Sequence, residues 1–279
     1  MVESPVSERT SGVNTDPTIG KDVKYLYRYR SLADPRSSNY VEQILLRNEL
    51  YFSPPREFND PFDCSPVPSL KSSGKEFHTF LGELTKRRRP DLSRSARRAQ
   101  VSTIARDLAR NQRSKEAQEA LRADMNKIVN ETGILCLSAG CDHPLMWSHY
   151  ADSHRGICLR FQASSTTPFF GRAQRVSYQS ERPTLNLVRD TIDEKVQKAL
   201  LTKADYWSYE AEWRIIDHDA GPGVRQFPPE LLDGVILGAR ISDTDKQKVL
   251  GWLEERQHRI SVLYARTQAT GFGVAISGS

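Results

Sequence analysis

The segment Trp207-Ser-Tyr-Glu-Ala-Glu-Trp-Arg-Ile-Ile216 constrains this chain more than any other. Aromatic and β-branched residues favour strands, and strand side chains at i and i+2 share a face. The spacing predicts that Glu210 and Glu212 project together from one sheet face, with Arg214 following them. Tyr209, Ala211, Trp213 and Ile215 would then pack on the opposite face. Two carboxylates set together suit work on a centre where positive charge develops. The competing reading is an edge strand whose charges sit in water, with Arg214 merely neutralising Glu212.

At 279 residues and 38% hydrophobic content, the chain can bury a large core. No apolar run approaches the length needed to span a bilayer, so no membrane partner is expected. Residues 1–21 are polar, rich in Ser, Thr, Pro and Gly, and lack the apolar core of a signal peptide. They read as a disordered lead-in to a cytoplasmic protein. Cys64, Cys136, Cys141 and Cys158 show no disulfide-framework spacing, which suits a reducing compartment. Cys136, Cys141, His143, His149 and His154 lie close in sequence but without Cys-x-x-Cys or His-Glu-x-x-His spacing, so no metal site is assigned. There is also no P-loop, no Gly-x-Gly-x-x-Gly and no Gly-x-Ser-x-Gly elbow, so a nucleotide would need another style of pocket.

The net charge of +5 names no partner, but its distribution is uneven. Lys86 to Arg113 holds ten basic residues against Asp91 and Asp107, leaving the remainder of the chain slightly acidic. Such a segment can track a phosphate backbone, or it can be a solvated helix face. Few aromatics interleave the arginines, so base stacking is not indicated there.

Alternation predicts a strand over Tyr25–Ser31, and Ser38 or Asn39 can cap a helix ending near Asn48. Leu50–Ser53, Gly133–Ser138, Gly156–Phe161, Val176–Tyr178, Gly234–Gly238 and Ile260–Tyr264 read as strands. Helices are expected over Leu145–Ala151, across 186–205, and from Ser242 to Arg256. Apolar spacing from about 75 to 131 predicts at least two helices, interrupted at Pro90. The expectation is an α+β domain over 22–266 with a mixed or antiparallel central sheet, a helical insertion near 75–131, and a loose tail at 267–279.

Three further segments carry candidate chemistry. Tyr27, Arg28, Tyr29 and Arg30 alternate rings for stacking with guanidinium groups for phosphate or carboxylate; as plain structure, the tyrosines would be core and the arginines solvated. Trp147 and Tyr150 are i, i+3 helix neighbours whose rings can line one wall, or can simply be core. In Phe58-Asn-Asp-Pro-Phe62, Asn59 and Asp60 can bond their own backbone and the proline disfavours helix, so the turn would shape a pocket wall that includes Phe62.

Tyr27-Arg-Tyr-Arg-Ser31, Leu50 through Phe62, Leu145-Met-Trp-Ser-His-Tyr-Ala-Asp152, and Lys203 through Arg214 together resemble the bacterial domain-of-unknown-function family 2971. That resemblance runs in order over roughly residues 24 to 265 and names no activity. A looser similarity is to ADP-ribosyltransferases, especially toxins that modify nucleic acid. It rests on the order of first strand, Ile-Leu helix, the Pro144-Leu-Met-Trp147 segment and a late glutamate strand. The Glu-x-Glu spelling is also similar to the arginine-modifying branch. The chain departs from that pattern in having Tyr-Arg-Tyr rather than His-x-Thr, and no Ser-Thr-Ser run.

The ADP-ribosyltransferase similarity implies NAD as co-substrate. Tyr27, Arg28, Tyr29, Arg30, Ser53, Trp147 and Tyr150 would hold it, Asn59, Asp60, Phe62 and Arg214 would shape the substrate pocket, and Glu212 and Glu210 would be catalytic. Breaking the nicotinamide–ribose bond passes through an oxocarbenium-like state, which a fixed Glu212 would stabilise while Glu210 orients or deprotonates the acceptor. The implied acceptor is nucleic acid or protein, in a toxin or phage-defence setting with a neutralising antitoxin as partner. Two other classes compete. One is a non-catalytic nucleic-acid-binding module built on the Lys86–Arg113 segment; the other is a nuclease or hydrolase using Glu210, Glu212, Asp60 and a divalent ion.

Overall fold

The computed structural model describes residues 23–111 and 115–278. The expected lead-in at 1–21 and Arg113 of the basic segment lie outside the described residues. Strand β1 (Tyr25–Arg30) buries Leu26 on one face and Tyr29 on the other. Helix α1 (Pro35–Arg47) follows. Its cap is Asp34, whose carboxylate accepts from the Arg36 and Ser37 amides, rather than the expected Ser38 or Asn39. Asp followed by Pro is the stronger start signal, because the proline presets the first helical φ. Asn48 ends the helix in the left-handed region, and β2 (Glu49–Phe52) begins at once.

After the Phe58–Phe62 turn and β3 (Val67–Ser69), the expected helical region resolves into α2 (Gly74–Arg88), α3 (Arg94–Asn111) and α4 (Lys115–Asn130). Ser73 and Glu76 form a reciprocal capping box on α2. Phe77, Leu81, Val101 and Ala105 join α2 to α3, leaving Lys86, Arg87, Arg88, Arg94, Arg98 and Arg106 outside. Next come β4 (Gly133–Ser138), α5 (Pro144–Tyr150) and β5 (Ile157–Gln162). Three short strands follow: β6 (Gln174–Arg175), β7 (Ser177–Gln179) and β8 (Thr184–Asn186). The helix expected across 186–205 is only α6 (Ile192–Leu200), because Thr191 caps it and β9 (Thr202–Ala204) takes the residues after it.

The chain continues through β10 (Glu212–Asp217), β11 (Gly223–Gln226), β12 (Leu232–Leu237), α7 (Asp243–Glu255), β13 (Ser261–Thr267) and β14 (Val274–Gly278). The last strand corrects the expected loose tail: it pairs antiparallel with β13, and Val274 is buried. Eight strands form one sheet in the order β14-β13-β12-β5-β1-β4-β10-β6, parallel only between β12 and β13. This is the α+β architecture with a mixed central sheet that the sequence implies. Strand β10 lies between β4 and β6, not at the edge that the solvated-charge reading required. Helices α1 and α7 cover one face through Val41, Ile44, Leu45 and Val249. The other side carries α5, through Met146 and Trp147, and a cluster from α4 and α6 with Met125, Val129, Ala199 and Leu200.

One irregularity of the sheet makes room for a ligand. Strand β1 pairs along its whole length with β5 but meets β4 at a single position, Tyr27 opposite Ser138. By Ile134 the edge of β4 pairs instead with Ser53, through reciprocal amide–carbonyl bonds of 2.9 Å. Between these points the Cys136 carbonyl accepts from Arg28 Nη1 at 2.5 Å. A side chain thus fills part of a parting between strands, and the remainder is open. The end of β1 is fixed by close backbone contact, since a Cβ on Gly156 would overlap the Arg30 carbonyl oxygen. Gly156→Ala should therefore cost about 1–3 kcal/mol of stability, read as a lower urea midpoint.

Candidate functional site

The parting between β1 and β4 opens into a cavity of about 290 Å³. Strand β1 contributes Tyr27, Arg28, Tyr29 and Arg30, while β4 contributes Cys136 and Ser138. Ser53 and Asn59 enter from the segments after β2, Tyr150 from α5, Lys203 from β9, and Glu210 and Glu212 from either side of the β10 entrance.

The two glutamates converge by a route that differs from the expected strand. Asp205–Glu210 is a 3-10 helix, and β10 starts only at Glu212. Between them Ala211 takes the left-handed conformation, φ 44°. Alanine there costs about 1–2 kcal/mol, so the surroundings must enforce it. The Ser138 hydroxyl donates to the Glu210 carbonyl at 2.7 Å, and the Ala139 amide donates to the Ala211 carbonyl at 2.9 Å. The kink turns Glu210 inward and frees Tyr209 from the strand. From Glu212 onward the expected alternation holds: Trp213 and Ile215 enter the core, while Glu212 and Arg214 lie together on the other face.

A five-member charge cluster floors the cavity. Arg214, with no exposed surface, grips Glu212 bidentately at 2.8 and 2.9 Å and reaches Asp63 at 2.6 Å. Lys203 Nζ bonds Glu210 at 2.5 Å and Glu212 at 3.2 Å, and lies 3.4 Å from Asp63. Although both glutamates are buried, their proton affinities separate. Burial would raise Glu212, but Arg214 and then Lys203 outweigh it and hold the carboxyl well below the usual range. For Glu210 burial prevails over the lysine, so its pKa is raised. Its other oxygen accepts from Tyr150 Oη at 2.5 Å, and Asn59 Nδ2 donates to that same hydroxyl at 3.3 Å. Burial also pushes the Cys136 thiol well up, making it wall rather than nucleophile.

Across the cavity the charge is positive. Burial lowers Arg28 to about 10, still protonated at neutral pH, and drives Arg30 well down with the charge of Arg28 adding to the effect. The Nε atoms of both arginines are buried and find no hydrogen-bond partner among the described residues. Two adjacent guanidinium groups lining one cavity are the chemistry of an anion site.

Most residues expected at a site therefore meet: Glu210, Glu212, Tyr27, Arg28, Tyr29, Arg30, Ser53, Asn59 and Tyr150 all line the cavity. Four do not. Trp147 is fully buried in the α5 core, edge-on to Tyr29, and donates its Nε1 hydrogen to the Cys141 carbonyl at 2.8 Å, so it is scaffold rather than a stacking platform. Arg214 lies behind Glu212 as its counter-ion. Asp60 organises the turn, accepting from the Phe62 amide at 2.9 Å and from Trp207 Nε1 at 2.7 Å. Phe62 is exposed and belongs to a neighbouring cavity. Sequence reading missed Lys203 and Asp63. A lysine set between Leu200-Leu201-Thr202 and Ala204 was the available signal for the first; the second directly follows the Phe58–Phe62 motif.

Removing the central cation should be severe. Arg214→Leu leaves Glu212 and Asp63 buried without it, and stability should fall by roughly 3–5 kcal/mol in chemical denaturation. The pH dependence has a defined sign. The folded pKa of Glu212 lies below its unfolded value, so its contribution is full above about pH 4.3 and fades as pH falls toward about 2. Glu210, raised on folding, has the opposite sign, and its contribution fades as pH rises through its folded pKa. Acid unfolding of Glu212→Gln should accordingly show a shallower loss of stability over the lower window than the parent protein.

Comparison with known proteins places one stretch of the chain. No curated protein and no solved structure matches it. The model of one family does match, over residues 146–215, a span that runs from α5 into β10 and includes Tyr150, Lys203, Glu210, Glu212 and Arg214. Over that span the chain resembles the family described as "Protein of unknown function (DUF2971)", the resemblance that its motifs imply.

Proposed function

We propose that this protein is an NAD-dependent ADP-ribosyltransferase. The observation that carries the reading is the pairing, across one cavity, of two carboxylates with oppositely displaced proton affinities and two adjacent arginines. Carboxylates whose proton affinities are displaced in opposite directions mark a division of acid–base labour. Glu212 stays ionised and supplies fixed negative charge beside the sugar carbon as the bond to nicotinamide weakens. Glu210, with the higher proton affinity, takes the proton from the acceptor. Arg28 and Arg30 hold the pyrophosphate, and the Tyr27 and Tyr150 rings flank the sugar and base. A volume of about 290 Å³ sits at the low end for small-molecule sites and suits the reacting half of a dinucleotide.

The acceptor's heteroatom forms a bond to the ribose carbon while the carbon–nitrogen bond to nicotinamide breaks. Nicotinamide leaves with that electron pair, and the acceptor's proton passes to Glu210 and then to water. A metal-dependent hydrolase reading using Glu210, Glu212 and Asp60 is less well supported, since Asp60 accepts from Trp207 and does not line the cavity that holds the two glutamates.

The test is nicotinamide release from labelled NAD. Glu212→Gln should lower it by about 10²–10³-fold. Arg28→Ala should weaken NAD affinity about ten-fold or more by calorimetry. Circular dichroism and thermal midpoint would establish that each variant is folded. Unchanged release from a folded Glu212→Gln would overturn the reading.

A further inference from the structure

A second cavity, of about 220 Å³, adjoins the first, and Lys203 lines both. On one side its ammonium bonds Glu210; on the other it forms wall beside Phe62, Arg182, Thr202 and Tyr206. Phe62 is 58% exposed and Tyr206 62% exposed. The two rings line one cavity, and it is contiguous rather than scattered exposed apolar surface that marks binding sites. Both are held by built structure. Phe62 stands on the turn fixed by Asp60, and Tyr206 is the second residue of the 3-10 helix that ends at Glu210. Tyr206, Trp207 and Tyr209 form a run of rings with centroids 5.9 Å apart, and Tyr209 stacks on His143 at 5.3 Å. Of these rings Tyr206 lines the second cavity, on the same 3-10 segment that ends at the carboxylate assigned to take the acceptor's proton.

We propose that this second cavity is the acceptor subsite and that it takes a nucleobase of single-stranded nucleic acid. The inference rests on the transferase reading for its role, and on the rings for its ligand. Every base offers a π-face to stack on such rings, and a base inside a duplex is not accessible to them. An arginine side chain of a protein would also stack, but the rings here already carry cations. Lys203 Nζ lies 5.2 Å from the Trp207 centroid, and the Arg182 guanidinium 6.0 Å from that of Phe62. A guanidinium acceptor in this cavity would meet the like charges of Arg182 and Lys203 in its lining, whereas a neutral base would not, and its phosphates would find Arg182 favourable. Arg182 is anchored for this by donating to the Ser65 carbonyl and hydroxyl. The lining sets Arg182 and Lys203 against the single acid Glu181.

The experiment measures binding without turnover. The full-length protein is titrated against short fluorescein-labelled single-stranded oligonucleotides of each base, read by anisotropy, with Phe62→Ala, Tyr206→Ala and the exposed control Phe272→Ala alongside. Both cavity variants should bind the preferred oligonucleotide about ten-fold or more weakly, and the control should bind as the parent does. Because both side chains are largely in water, truncation should leave the thermal midpoint in place. Parent-like binding by both variants would overturn the proposal. So would label from NAD appearing on arginine-bearing proteins with no oligonucleotide binding. Ring-dependent binding by a protein that releases no nicotinamide would uphold the base subsite and sink the transferase reading, so the two failures are distinguishable.

Discussion

Arg214 is the interaction on which the rest of this structure depends. It is a charged side chain with no access to water, and such a group is tolerated only when its donors are met. Five donors must be satisfied, and the fold supplies Glu212, Asp63, the Leu200 carbonyl and the Cys64 sulfur. Those partners come from β10, the turn after Phe62, and the end of α6. One guanidinium therefore ties three segments distant in sequence to a single point. The positive φ of Cys64, 50°, and of Ala211, 44°, flank that point, where satisfying the cation overrides local backbone preference.

From that anchor the cavity follows. Arg214 bonds both oxygens of Glu212 and keeps it ionised, and Lys203 shares one of those oxygens at 3.2 Å. Lys203 then draws Glu210 inward, which the left-handed Ala211 permits. Tyr150, steadied by Asn59, closes the side toward α5. The opposite wall exists because β1 leaves β4 after Tyr27, so the arginines of β1 face a gap rather than a neighbouring strand. The Phe58–Asp63 segment serves three partners at once: Asn59 meets Tyr150, Asp60 meets Trp207, and Asp63 meets Arg214.

Local pattern carried much of this and stopped where long-range pairing began. Tyr27, Arg28, Tyr29 and Arg30 were legible because alternation fixes their faces, and Glu212 with Arg214 for the same reason. The 3-10 segment at Asp205–Glu210 was not. Tyr, Trp and Ile around it favour strand, and alanine gives no sign of a left-handed turn. Trp147 and Tyr150 could not be separated by sequence. Three residues along a helix leave an offset of about 60°, enough to put one ring in the core and the other at the rim. Lys203 escaped because its role is set by Glu210 and Asp63, and Asp63 lies far off in the chain. The loose-tail expectation failed because the short apolar run Val274-Ala-Ile276 sits among Gly and Ser, and its strand forms only through pairing with β13.

The charge balance of the site argues for an anionic ligand independently of any family likeness. Asp63, Glu210 and Glu212 face Lys203 and Arg214 at the floor, so the cluster carries about one negative charge when all are ionised. That charge is locked in short bonds and has little reach toward the far wall. Arg28 and Arg30 stand there close enough for one to depress the pKa of the other, with donors unmet. Two desolvated cations side by side are a standing cost, relieved when a dianionic group enters between them. A ligand with phosphate at one end and a cation-forming centre at the other satisfies both walls together. That polarity, arginines at one side and Glu212 at the other, is what the parting of β1 from β4 creates.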